Sequence, residues 1–171
     1  ENALSTATAG TLEVPLVMPF MQPENAVIVP LHYAHLVSTG DVSEPHWTEM
    51  ILAGGIDRAT MVDIVFPAMA ADMSAQTVSD PDGQVGELVL NSFDANCSNL
   101  LEGCQDVVAG EGECAAWDND PNNPPLTATE LRCSAMFSTA FKSDVDMDGD
   151  DEPDHFSLGI ALQAVSVTFD N

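Results

Sequence analysis

Along the first forty positions the apolar residues fall in short β-branched runs or alternate with polar ones, the period of an extended chain. Thr11 to Phe20 (TLEVPLVMPF) and Ala26 to Thr39 (AVIVPLHYAHLVST) both read as strands, punctuated by Pro15, Pro19, Pro23 and Pro30. Proline cannot donate to a ladder, so these strands are expected to be short, bent or at sheet edges. Trp47 to Ala53 is a further apolar segment that stops at Gly54 and Gly55. From Asp57 to Met73 the period changes: Met61, Ile64, Val65, Met69 and Met73 recur at helical spacing, which predicts a helix capped by Asp57 and kinked or broken at Pro67. SDPDG, residues 79 to 83, is a turn by its own chemistry. Gln84 to Phe93 alternates and predicts a strand, Leu126 to Cys133 a short helix, and Phe156 to Phe169 a last strand or hairpin.

These elements predict a mainly β fold, a single-domain sandwich or barrel-like arrangement with one helix and a disulfide-tied loop region. Residues 1–10, small and polar, are expected to be a flexible lead-in to one β-rich domain over residues 11–171. The first residue is Glu1, which leads us to expect a chain processed or cut from a longer one. No apolar run approaches the roughly 20 residues of a membrane helix.

Charge narrows the function. Three Lys and Arg stand against 28 Asp and Glu, a formal net charge of −25. Such a surface repels phosphate and lacks the cations that release counterions, so nucleic acid is excluded as a partner. A hydrophobic fraction of 45% is that of a folded domain, not of an acidic tail. Cys97, Cys104, Cys114 and Cys133 lie in loop-like sequence, without a CxxC knuckle or a histidine among them. An even count in that setting reads as two disulfides made in an oxidising compartment. Three pairings exist, and nearest neighbours, Cys97 with Cys104 and Cys114 with Cys133, are favoured.

One constellation carries a mechanism. Residues 144 to 154 hold seven carboxylates in eleven positions, within a loop expected over residues 144–155. Crowding like charges costs repulsion unless a cation neutralises them, and oxygen ligands on alternate residues suit Ca²⁺. Two registers fit. In one, Asp144, Asp146 and Asp148 take the first, third and fifth positions and Gly149 the sharp turn at the sixth, as in an EF-hand loop, with His155 where the closing Glu would stand. In the other, Asp146, Asp148 and Asp150 take those positions, Glu152 offers a backbone carbonyl, Asp154 is the ninth, and Asp151 occupies the turn. A plain solvated acidic turn is the competing reading.

The run DMDGDDEPD resembles the DxDxDGxxD calcium loops of thrombospondin type 3 repeats and, more loosely, of dockerins. Similar loops followed by a strand occur in secreted proteins and lipoproteins of Gram-negative bacteria. The resemblance implies calcium, with Asp146, Asp148, Asp150 and Asp154 as ligands and Glu152 as a backbone ligand. It implies no activity.

A second metal centre of copper or zinc is conceivable from His32 or His35 with His46. In a regular strand, residues three apart point to opposite faces, so His32 and His35 share an ion only where the strand breaks. The eight methionines, set in apolar segments, read as core filling. No GxSxG nucleophile elbow and no phosphate loop occurs. The expected function is therefore a non-catalytic, calcium-stabilised module of a secreted, periplasmic or cell-surface protein, used in assembly, adhesion or ligand binding, with other surface or filament subunits as candidate partners. A transition-metal protein built on His32, His35 and His46 and a secreted hydrolase are the alternatives.

Overall fold

The computed structural model describes residues 10–38, 50–94, 124–147 and 149–162. Four strands, β1 (Gly10–Leu16), β2 (Val27–Ser38), β3 (Met50–Asp57) and β4 (His155–Leu162), form one open antiparallel sheet in the order β1-β2-β3-β4. Among the described residues 43% are helical and 32% lie in strands. This overturns the expected sandwich or barrel. There is a single sheet among the described residues, it does not close, and helices provide more of the regular structure than strands do.

The proline expectation holds for β1 but not for β2, which at twelve residues is the longest described strand and lies inside the sheet. Pro15 lies in β1, at the sheet edge, and Pro30 precedes the part of β2 paired with β3, which begins at His32. Between His32 and His35 the register shifts: these residues face Gly55 and Ala53, so β2 spends one more residue than β3 over the same stretch. Such a bulge turns the two histidines onto the same face, contrary to the simple alternation. Tyr33, inside the bulge, takes a positive φ of 52°.

The chain divides into two compact units. The first gathers residues 10–14, 29–58 and 143–162, with Val29, Leu31 and Ile56 buried. On their side of the sheet Gly54 is required, because a Cβ there would lie 2.6 Å from Leu31 Cγ and 2.7 Å from the His32 carbonyl.

The second unit, residues 15–28 and 59–142, is helical. A short α1 (Arg58–Thr60) runs through a π-turn (Met61–Val65) into α2 (Phe66–Ser79). The expected break at Pro67 is instead an expansion: Phe66 N–H reaches back five residues to Met61 O, just before the residue that has no N–H to give. Met61, Val65, Phe66, Met69 and Met73 are buried, and the methionines here fill core as their spacing implied.

Gln84 to Phe93, expected as a strand, is helical: α3 (Gln84–Val89) passes into a π segment (Leu90–Asp94). Val85, Val89 and Phe93 recur every four residues, and the last two are buried. Gly86 lets α3 pack against the preceding turn, since a Cβ would lie 2.6 Å from the Pro81 carbonyl.

The short helix expected near Cys133 is α4 (Ala128–Cys133), begun by a capping box in which Glu130 N–H donates to Thr127 Oγ1 (3.2 Å) and Thr127 N–H to Glu130 Oε2 (2.8 Å). Then comes α5 (Ala135–Ala140), whose Phe137 stacks with Phe141 at 5.6 Å and meets Phe93 at 5.8 Å. No described helix is long and apolar enough to cross a membrane.

Candidate metal centre

The acidic loop is closed at its neck by backbone pairing. Asp144 and Val145 N–H donate to His155 O, and Asp154 and His155 N–H donate to Val145 O, at 3.0–3.2 Å. What emerges between Val145 and His155 is the nine-residue run 146–154, with six carboxylates.

Its side chains fall into two groups. Asp146 folds over the loop, Oδ1 accepting from Gly149 N–H at 2.7 Å and Oδ2 from Asp151 N–H at 2.8 Å, and Asp150 Oδ1 accepts from Glu152 N–H at 2.8 Å. Gly149 and Asp151 both take left-handed φ, 83° and 68°. Asp144 instead lies outside the neck, held to β4: Ser157 N–H donates to Oδ1 at 2.7 Å and Ser157 Oγ–H to Oδ2 at 2.5 Å. The Ser157 hydroxyl and amide hold the Asp144 carboxyl below the usual carboxylate range. Asp154 turns to His155, whose Nδ1 it meets, while its carbonyl accepts from Arg58 N–H at 3.2 Å.

Of the six expected ligands, then, Asp146 and Asp150 sit on the loop backbone, Asp144 and Asp154 are drawn to the sheet, Glu152 is exposed, and Asp148 lies outside the described residues. No three His, Cys, Asp or Glu side chains among the described residues are assembled to hold an ion. The donor set itself, all hard oxygen, fits calcium.

The histidine expectation divides. His32 and His35 share a face of the sheet, but His35 is exposed and its Nδ1 meets the Tyr33 carbonyl at 3.1 Å, while His46 lies outside the described residues. His32 Nε2 meets Asp57 Oδ2 at 3.2 Å. Sequence reading missed its true neighbour, His155, whose ring stands edge-on at 5.5 Å. Only the cross-strand register, His32 opposite Gly55 and Asp57 opposite His155, brings them together.

Cys133 is buried and disulfide-bonded; Cys97, Cys104 and Cys114, and with them the pairing, lie outside the described residues. In the helical unit a cleft of about 420 Å³ is lined by Gln22, Gln76, Ser79, Asp80 and Gln84, with Asp80 its one carboxylate among the described residues. The chain matches no protein-family model, no characterised protein and no solved structure.

Proposed function

We propose that this chain is a calcium-stabilised, non-catalytic module of an exported or cell-surface protein, serving assembly, adhesion or ligand binding. The observation that carries the reading is the closed nine-residue loop with six carboxylates. Without a cation such a loop is self-repelling, and alternate oxygens suit Ca²⁺.

The loop's conformation supports the register that starts at Asp146. In that register Asp151 is the sixth residue, where a sharp left-handed turn is needed, and its φ is 68°; Gly149, sixth in the other register, is left-handed too at 83°, so the turn fits both and the choice rests on Asp144. Asp144, the first ligand of the other register, is committed to Ser157. Asp146, Asp148, Asp150 and Asp154 are thus the proposed side-chain ligands and Glu152 the carbonyl ligand. The ion would tie the entry of β4 to the segment after α5. The paired cysteine and the acidic surface suit an oxidising, calcium-rich milieu.

Thermal unfolding with and without the ion tests this. Extracellular calcium modules bind at roughly 10⁻⁴–10⁻³ M. A 100-fold excess over such a constant stabilises the native state by about 2.7 kcal/mol, which raises Tm by roughly 5–10 °C over the EDTA-treated protein. Equal Tm values in EDTA and in saturating calcium would refute the proposal.

A further inference from the structure

We propose that the outer edge of β4 is an assembly surface, taken by the same edge of a second copy of this chain in antiparallel register. The hydrogen-bonding phase of β4 fixes which groups face outward. His155 N–H donates away from β3 to Val145 O, and Ser157 N–H donates away from it to Asp144 Oδ1. Outward N–H and C=O groups recur at every second residue of an antiparallel strand, so those of Gly159 and Ala161 face out as well. Among the described residues they have no partner, and β4 ends the sheet.

The two edges of the sheet differ in how they are protected. β1 carries Glu13 and Pro15, the charge and the proline that keep an edge from pairing with another chain. From Phe156 to Leu162, β4 has neither a charge nor a proline. Gly159 weakens the strand it sits in, and nothing described in the chain requires it: its φ is not left-handed, and a Cβ would meet only Ile51 Cγ2, at 3.7 Å. A strand glycine without an internal reason suits the close approach of another backbone.

A second copy fits this edge in one register. With the two-fold axis at Ile160, each Gly159 stands opposite the other copy's Ala161, and each such pair exchanges both of its N–H···O bonds. Leu158 then meets the other copy's Leu162, and Ile160 its own counterpart, on the face that already sets Leu52 against Ile160. Moving the axis to Gly159 would call on Ser157, whose N–H and hydroxyl are held by Asp144, so the pairing runs from Leu158 to Leu162. Charge admits the copy despite the acidity of the chain. His155, where the acidic loop ends, lies five residues from the axis in each copy, which separates the two loops by about 33 Å along the strands, several Debye lengths. The assembly role proposed above thereby gains a surface and a partner; the inference rests on that reading for the role and not for the pairing.

Sedimentation equilibrium and amide hydrogen exchange in saturating calcium test the proposal. The weight-average mass is expected to rise from one chain toward two between about 1 μM and about 1 mM, as for a small interface. Exchange of the Gly159 and Ala161 amides should slow about tenfold over the same range. Ala161→Pro removes an outward N–H and leaves the ladder to β3 intact, and Gly159→Lys puts a charge on the edge; both should stay monomeric where the parent is paired. Leu12→Lys, on β1, should pair as the parent does. A parent that stays monomeric throughout, amide protection independent of concentration, as residues 163–171 folding back on the edge would give, pairing that survives both β4 variants, or loss of pairing in Leu12→Lys would each overturn it. Thermal melts of the same samples with and without calcium read the ion separately, so a monomer that still gains Tm from calcium sinks the pairing and leaves the calcium proposal standing.

Discussion

Asp72, on α2, is buried at 7% exposure, and its carboxylate accepts from Gln22 N–H (2.7 Å), Gln76 Nε2 (3.1 Å) and Asn25 Nδ2 (2.5 Å). An acid so placed is a structural anchor that fixes the segment between β1 and β2 to the helix. Removing it loses three charge-assisted hydrogen bonds, so Asp72→Ala should cost about 2–3 kcal/mol, read as a lower urea midpoint at unchanged m-value. Asp144 makes a different residue-level prediction. Its folded carboxyl is held below the unfolded value, so it contributes stability that is present above the unfolded pKa and is lost as pH falls through the folded one. Ser157→Ala should therefore lower stability at neutral pH and flatten its fall on the acid side, below about pH 4. Parallel acid titrations that keep the same slope in the variant would contradict that assignment.

At the scale of elements, much is legible in the sequence where short-range chemistry decides. The β-branched runs of β1 and β2 form strands, the helical period around Met61 to Met73 forms a helix, and the Thr127 and Glu130 box begins α4. Gln84 to Phe93 reads wrongly as a strand because Val85, Val89 and Phe93 satisfy a helical period while their neighbours also alternate; burial of Val89 and Phe93 in the helical unit decides between the two. The β2 bulge is not legible either, since nothing in LHYAHL announces an extra residue, and it is the bulge that puts His32 and His35 on one face. The acidic loop is legible as a charge pattern, but its neck and the diversion of Asp144 to Ser157 depend on a strand thirteen residues away. Its turn makes a prediction: Asp151, at φ 68°, should tolerate glycine, whereas Asp151→Val places a β-branched residue in the left-handed region and should cost about 1–2 kcal/mol. Thermal melts of both variants in calcium check the difference, and equal melting would remove the turn from the account.

For the whole molecule, a net charge of −25 sets the terms. Self-repulsion opposes the folded state, and the loop 146–154 concentrates it. Monovalent salt relieves that repulsion only by screening, whereas a bound divalent ion neutralises it at one place. The sequence points to a sandwich because its strands are legible and the helical stretch at Gln84 to Phe93 is not; the observed division into a sheet unit carrying the loop and a helical unit leaves the proposed ion site on the first alone. The most direct measurement is a calorimetric titration of the EDTA-treated protein with calcium in physiological salt. The account predicts one Ca²⁺ per chain, bound at roughly 10⁻⁴–10⁻³ M, and no heat from the Asp146→Asn, Asp150→Asn double variant. A flat titration of the parent protein through several millimolar calcium, or an unchanged isotherm in the double variant, would contradict it.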